Sequence, residues 1–212
     1  QTRGSTAGVR SGESLTVLEC LYGLLLPSGN DASVALGEHF GRRIWKELEM
    51  SADNPDEVDA DDDPLNLFVN AMNLCASELG MEQSSFRNPS GLHESEHVSS
   101  VSDLLTLTSQ AILDPTFRKL IATRQRGCTV LGATGYERHV VWKNTNDLLS
   151  IDGYRGVKTG TTDAAGACLI ALSKRNEREL LLVVLGAASS RARFTDARNL
   201  FRWAWNESDP NR

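Results

Sequence analysis

The sequence lacks any run of the roughly 18 consecutive apolar residues that a membrane helix requires, so none of its 212 residues reads as a membrane span. Residues 1–12 have neither the basic start nor the apolar core of a secretory signal, which puts any export signal outside this sequence. A basic excess is also missing. Its 22 Lys and Arg are outnumbered by 28 Asp and Glu, giving a net charge of −6, and phosphate binding needs a clustered basic face, so nucleic acid is disfavoured as a partner. Cysteine is scarce and dispersed: Cys20, Cys75, Cys128 and Cys168 form no CxxC pair, which argues against a zinc or redox motif and leaves all four as expected small buried hydrophobes. No internal repeat or low-complexity linker is present.

What remains is an ordinary globular composition, 40% hydrophobic and 24% charged, enough for one core or a core shared by two packed subdomains. Residues 16–26 form an apolar run ended by Pro27, which disfavours helical geometry just before it. Residues 27–30 are then a turn, with Asp31 capping a second helix through Phe40. Residues 47–63 are dense in Asp and Glu and read as a solvated insertion. In residues 65–80, Phe68, Met72, Cys75 and Leu79 recur at helical spacing, which predicts a core-facing helix stopped by Gly80. Asn88-Pro89-Ser90-Gly91 is a turn, and Ser100 with Asp103 resembles a capping box for the helix carrying Leu104, Leu105 and Leu107. His93 and His97 lie among turn residues, where a metal pair is not expected.

The second half is β-rich. Residues 128–131 and 139–142 are short strand-like runs, residues 168–172 and 180–185 are nearly continuous apolar strands, and residues 174–178 join the last two as a hairpin. Phe194, Ala197, Phe201 and Trp205 then share one face of a closing helix. The expected class is α+β, with residues 1–125 mainly helical and residues 126–212 holding a sheet and the last helix.

Two tripeptides stand apart from this framework: Ser28-Gly29-Asn30 in the interhelical turn and Lys158-Thr159-Gly160 at the start of a strand. Either alone is weak, but together they resemble part of the S-x-x-K, S-D-N, K-T-G set of class A β-lactamases and penicillin-binding proteins, with Gly29 where that set has Asp. Their surroundings are more specific. Leu21-Tyr22-Gly23-Leu24 leading into Ser28-Gly29-Asn30-Asp31-Ala32, then Asn88-Pro89, Gly91-Leu92, Asn144-Thr145-Asn146 and Gly156-Val157-Lys158-Thr159-Gly160-Thr161-Thr162, closely resemble the low-molecular-weight D-alanyl-D-alanine carboxypeptidases of peptidase family S11. The acidic insertion and its flank, about residues 41–64, are the main part outside the resemblance.

The resemblance implies a penicillin-binding protein/β-lactamase-like (transpeptidase-like) fold, an antiparallel sheet flanked by helices with a helical subdomain. It implies cleavage of the terminal D-Ala from peptidoglycan stem peptides through a serine acyl-enzyme, outside the cytoplasmic membrane, without a cofactor or metal. β-Lactam antibiotics would be inhibitors of the complete enzyme. In this frame Ser28 relays a proton to the leaving amine, Asn30 bonds the acyl side-chain amide, and Lys158 keeps the site electropositive. Thr159, Gly160 and Thr161 take the substrate as an added strand, with the Thr161 N–H in the oxyanion hole, while Arg193 takes the C-terminal carboxylate.

One part of the set is absent. The residues three before Lys46, Lys119, Lys143, Lys158 and Lys174 are Arg43, Thr116, Val140, Arg155 and Ala171, so these 212 residues hold no S-x-x-K. The expectation is a fold incomplete at its N-terminus, inactive alone, with the nucleophile upstream of Gln1. Two alternatives share the motifs: a non-catalytic protein that binds peptidoglycan or D-Ala-D-Ala ends, and a class A β-lactamase-like hydrolase, which favours Asp at the position of Gly29.

Overall fold

The computed structural model describes residues 3–49 and 63–207. Thr16 opens α1 (Val17–Leu25) with a reciprocal capping box, its hydroxyl accepting from Glu19 N while the Glu19 carboxylate accepts from Thr16 N. Pro27 follows the C-cap Leu26 and ends the helix. The chain reverses at Ser28-Gly29 and enters α2 (Asn30–Glu49) at once.

α3 (Pro64–Glu78) packs along α2 at short range, because α2 presents glycine to it: a Cβ on Gly41 would sit 1.7 Å from the Pro64 carbonyl oxygen, and one on Gly37 would sit 2.7 Å from Leu65. That contact decides which face of α3 is buried. Leu67, Val69, Ala71 and Ala76 are buried, whereas Phe68, Met72 and Leu79 are half-buried and Cys75 is exposed. The expected core face, and the expected burial of all four cysteines, are corrected here: only Cys128 is buried, Cys20 and Cys168 are half-buried, and all four thiols are free. Residues 50–62, most of the acidic insertion, lie outside the described residues.

α4 (Val101–Ala111) begins with half of the expected box: Ser100 Oγ accepts from Asp103 N at 3.2 Å. The Asp103 carboxylate turns away to accept from Gln83 N and Ser84 Oγ, at 2.9 and 2.7 Å, which ties the preceding loop to the helix. α5 (Pro115–Ala122), capped by Asp114, went unread in the sequence.

The β elements form two three-stranded antiparallel sheets. β1 (Glu13–Ser14), β2 (Gln125–Gly132) and β3 (Glu137–Lys143) make the first, which joins the N-terminal segment to the second half; the division at 125/126 falls at the start of β2. Its lock is Glu13, whose carboxylate accepts from Arg138 Nε and Nη2 at 3.0 and 2.6 Å, from Tyr136 OH at 3.0 Å and from Arg10 N at 3.0 Å. The guanidinium bonds first, then the backbone and phenol, hold its pKa down at about 2 against the opposing pull of burial.

β4 (Tyr154–Thr162), β5 (Gly166–Arg175) and β6 (Arg178–Ala187) form the second sheet in the order β4-β5-β6, with β4 at an edge. One face packs on α6 (Ser190–Glu207) through Leu169, Ala171, Ala197, Phe201 and Trp205. The other meets α5 through Ile121, Val157 and Leu172. A third cluster under α1, built on Tyr22, Leu26, Cys128, Val130 and Trp142, holds the helical half to the first sheet. Burying such side chains contributes roughly 1.5–3 kcal/mol each. Among the described residues no helix is long and apolar enough to cross a membrane.

Candidate active site

The turn between α1 and α2 is built tightly. Gly29 N donates to the Gly23 carbonyl at 3.1 Å, and a Cβ on Gly29 would lie 2.7 Å from that same oxygen and 2.7 Å from the Ala7 Cβ, so a side chain is excluded. Ser28 takes up the reversal with φ of 61°, a left-handed conformation that costs a non-glycine residue roughly 1–2 kcal/mol. Such a conformation persists only where neighbours over-determine it. Here they do.

Residues 3–9 strap the turn from outside. Asn30 N donates to the Ser5 carbonyl at 2.9 Å and Asn30 Nδ2 to the Arg3 carbonyl at 2.6 Å. Asp31 accepts from Thr6 Oγ1, Ala7 N and Val9 N, at 2.7, 2.8 and 2.8 Å, so the carboxylate expected to cap α2 chiefly fastens this strap. Those three donors outweigh burial and lower its pKa.

Across from the turn, β4 brings Lys158 inward. Its Nζ donates to Ser28 Oγ at 2.7 Å and to the Thr159 carbonyl at 2.6 Å. Burial, then the positive charge of Arg193, lower the ammonium pKa to about 8. The strand is aligned with the turn by Thr145, whose N donates to the Leu26 carbonyl at 3.1 Å and whose Oγ1 lies 2.6 Å from Thr159 Oγ1. Asn144 and Asn146 hold that loop, Asn144 Oδ1 accepting from Asn146 N and Asn146 Oδ1 from Leu148 N.

Arg193 comes from the first turn of α6 and is buried beneath the same strand. Its Nη1 donates to Gly160 O, Thr161 Oγ1 and Cys168 O at 3.0, 2.9 and 3.4 Å. The expected carboxylate ligand therefore already spends one nitrogen on the strand it supports.

All seven residues singled out in the sequence, Ser28, Asn30, Lys158, Thr159, Gly160, Thr161 and Arg193, line one groove of about 500 Å³. Its length follows the edge of β4, which among the described residues pairs only with β5. The strap (Gly4 and Ser5), the Pro89-Ser90 turn and Thr145 line it as well. Those were missed as site residues, and the one available signal for the last was its place inside Asn144-Thr145-Asn146. His97 stands on an adjoining apolar space; its Nδ1 accepts from Arg87 N at 3.2 Å, a structural bond.

Chemically, the groove offers an ammonium that exchanges protons near neutral pH, a hydroxyl in contact with it, an open strand edge, and a fixed guanidinium. That set suits binding an extended peptide and exchanging a proton with its amide nitrogen.

The chain is similar to known proteins. Residues 64–189 match the family model of the peptidase S11 D-alanyl-D-alanine carboxypeptidases. The chain is 30% identical over 203 residues to a D-alanyl-D-alanine carboxypeptidase of Streptomyces sp. (strain K15), covering 95% of this chain and 65% of the relative. It is 31% identical over 210 residues to the carboxypeptidase DacF of Bacillus subtilis (strain 168), covering 96% and 46%. The chain thus spans less than two thirds of either relative's length. The crystal structure of the Streptomyces K15 DD-transpeptidase superposes with a TM-score of 0.85 at 31% identity, covering 96% of this chain and 72% of that one. By motif, by sequence and by the α+β fold of a penicillin-binding protein, the chain belongs to the S11 family of D-alanyl-D-alanine carboxypeptidases.

Proposed function

We propose that the groove is the D-Ala-D-Ala site of a serine-type carboxypeptidase that trims peptidoglycan stem peptides, with the S-x-x-K serine and lysine supplied by a segment these residues do not contain. The observation that carries this reading is the 2.7 Å contact between Lys158 Nζ and Ser28 Oγ beside β4, an edge strand of its sheet. The substrate adds to β4 as a further strand, and the Thr161 N–H faces the carbonyl oxygen as it gains charge. A serine from an S-x-x-K segment gives its proton to the lysine of that segment and forms the acyl bond while the C–N bond breaks. Ser28 relays that proton to the departing amine, and Lys158, bonded to the Ser28 hydroxyl, keeps the site electropositive. Water then releases the acyl group. Asn30, fixed by the Arg3 carbonyl, presents its remaining side-chain oxygen to the acyl part, and Arg193 receives the terminal carboxylate.

Peptidoglycan stem peptides as substrate, β-lactams as inhibitors of the nucleophile-bearing protein, and a site of action outside the cytoplasmic membrane follow from this reading. Gly29 favours it over a class A β-lactamase, which places Asp there. A side chain at residue 29 would collide with the backbone oxygen of Gly23.

Fluorescent penicillin tests the proposal. A protein in which these residues are joined to an S-x-x-K segment is labelled on that serine, and replacing Lys158 by Ala abolishes the label; the 212-residue chain alone takes none. Stoichiometric labelling of the 212 residues themselves would refute the division of roles.

A further inference from the structure

A second cavity, about 570 Å³, opens beside the groove between the start of α6 and the 3-10 turn Asp147–Ser150. Arg191, Thr195 and Arg198 line it at intervals of four and three residues, so they share one face of α6, and Arg193 reaches it from the same helix. Asp147 is the one carboxylate among its lining residues. In a chain of net charge −6, this wall gathers three guanidinium groups against a single carboxylate.

These cations are not consumed by the fold. Arg191 and Arg198 are exposed, and among the described residues neither has a carboxylate within ion-pair distance. Arg193 is only 6% exposed and commits Nη1 to Gly160 O, Thr161 Oγ1 and Cys168 O, yet its Nε has no hydrogen-bond partner among the described residues. A buried charged donor without an acceptor is costly and rare. The first turn of α6, which meets the cavity at Ser190 and Arg191, adds the positive end of the helix dipole. A carboxylate would answer one guanidinium. A phosphoryl group, with three acceptor oxygens and a charge near −2, matches three guanidiniums less one carboxylate.

We propose that this cavity binds a phosphoryl group, free or at the end of an ester, and that its occupant is coupled to the groove through Arg193. Arg191 and Arg198 take the outer oxygens and Arg193 Nε the inner one. Thr145 and Arg193 line both spaces, so the guanidinium is the shared wall, with Lys158 on its groove side. Arg193 from α6 and the Ser28 hydroxyl face that ammonium, while Asp147 from the 3-10 turn and Cys168 from β5 face Arg193 itself. Burial, then the positive charge of Arg193, hold the Lys158 pKa at about 8, so a dianion against Arg193 offsets that charge and raises it. By reciprocity the cavity holds phosphate more tightly while Lys158 keeps its proton, and the affinity falls as pH rises through about 8. The coupling does not depend on which peptide the groove accepts.

Glycerol 3-phosphate and inorganic phosphate, titrated at constant ionic strength into the 212-residue chain, test this through the arginine Nε–Hε and lysine 13Cε resonances. Both should shift Arg193 saturably and bind about fivefold or more tightly than acetate, and the tighter of the two identifies the form held. R191Q/R198Q should weaken binding about fivefold or more, and R191K/R198K should retain part of it. At saturation the Lys158 midpoint should move up. The affinity for glycerol 3-phosphate, a dianion throughout, should fall about twofold or more between pH 7.5 and 9.5, and in Lys158→Ala binding should persist without that fall. Binding unchanged in R191Q/R198Q, or lost in Lys158→Ala, would put the anion in the groove and overturn the site. A Lys158 midpoint unmoved at saturation would overturn the coupling.

Discussion

Lys158 Nζ lies 2.7 Å from Ser28 Oγ although 130 residues separate them in sequence. The ammonium is held by that hydroxyl and the Thr159 carbonyl, with no carboxylate ion-paired to it among the described residues, and burial lowers its pKa to about 8. The folded protein therefore binds fewer protons than the unfolded chain between about pH 8 and the ordinary lysine value of 10.5. Burying the charge opposes folding below pH 8, and that cost fades as pH rises through the window. Titration of a 13Cε-labelled lysine sample should show one residue, lost in Lys158→Ala, with a midpoint near 8; a midpoint above 10 would place this ammonium in solvent.

Gly29 is the tightest point of the turn. Gly29→Ala puts a methyl group 2.7 Å from both the Gly23 carbonyl oxygen and the Ala7 Cβ, and the backbone cannot yield cheaply. Overpacking of this kind costs roughly 1–3 kcal/mol. Urea unfolding should show that loss, together with a weakened Lys158 to Ser28 contact seen as a Lys158 pKa moved back towards 10.5. A stable variant with an unmoved Lys158 would mean that the turn tolerates a side chain.

Glu13 couples the N-terminal segment to the first sheet, and its side chain is fully buried. Its carboxyl is held at about 2 against an ordinary 4.5, so the unfolded chain binds more protons between those values. The network's contribution is present above about pH 4.5 and lost as pH falls through about 2. Glu13→Gln should destabilise the protein by about 1–3 kcal/mol at pH 7. Unfolding curves at pH 7 and pH 2.5 should show the gap between the two proteins narrowing in acid; a constant gap would assign the loss to packing alone.

Trp142 packs beneath α1 and donates from Nε1 to the Ala7 carbonyl at 2.8 Å. It thus supports the strap over Asn30 as well as the core. Trp142→Ala should cost roughly 3–5 kcal/mol. Thermal unfolding checks the magnitude, and hydrogen exchange at Ala7 and Val9 should accelerate with it; protected amides there would show that Asn30 and Asp31 hold the strap without Trp142.

Much of this arrangement could be read in the residues. Pro27 marks the end of α1, and Ser28-Gly29-Asn30 with Lys158-Thr159-Gly160 mark the two sides of one groove. The strands of the second sheet are continuous apolar runs because both of its faces are covered. Other parts were out of reach. The buried face of α3 is chosen by the close approach of Gly37 and Gly41 on α2, a tertiary contact that overrode the spacing of Phe68, Met72 and Cys75. Asp31 was expected to cap α2, but the helix already begins at Asn30, and the Asp31 carboxylate accepts from three donors on residues 6, 7 and 9. α5 is short and begins with Pro115, so its eight residues carry too little periodicity to register. Thr145 is visible only as part of Asn144-Thr145-Asn146; its bond to Thr159 exists because Leu26, at the end of α1, positions its backbone.

The most direct test of the groove is stereochemical. An N-acyl-D-Ala-D-Ala peptide and its L-Ala-L-Ala counterpart should be titrated into the 15N-labelled 212-residue chain, with Asn30, Gly160, Thr161 and Arg193 as reporters. Saturable shifts at those four residues with the D,D peptide, and none with the L,L peptide, are the expected result. Equal responses to both, or shifts confined to residues elsewhere, would contradict the assignment of this groove to D-Ala-D-Ala peptides.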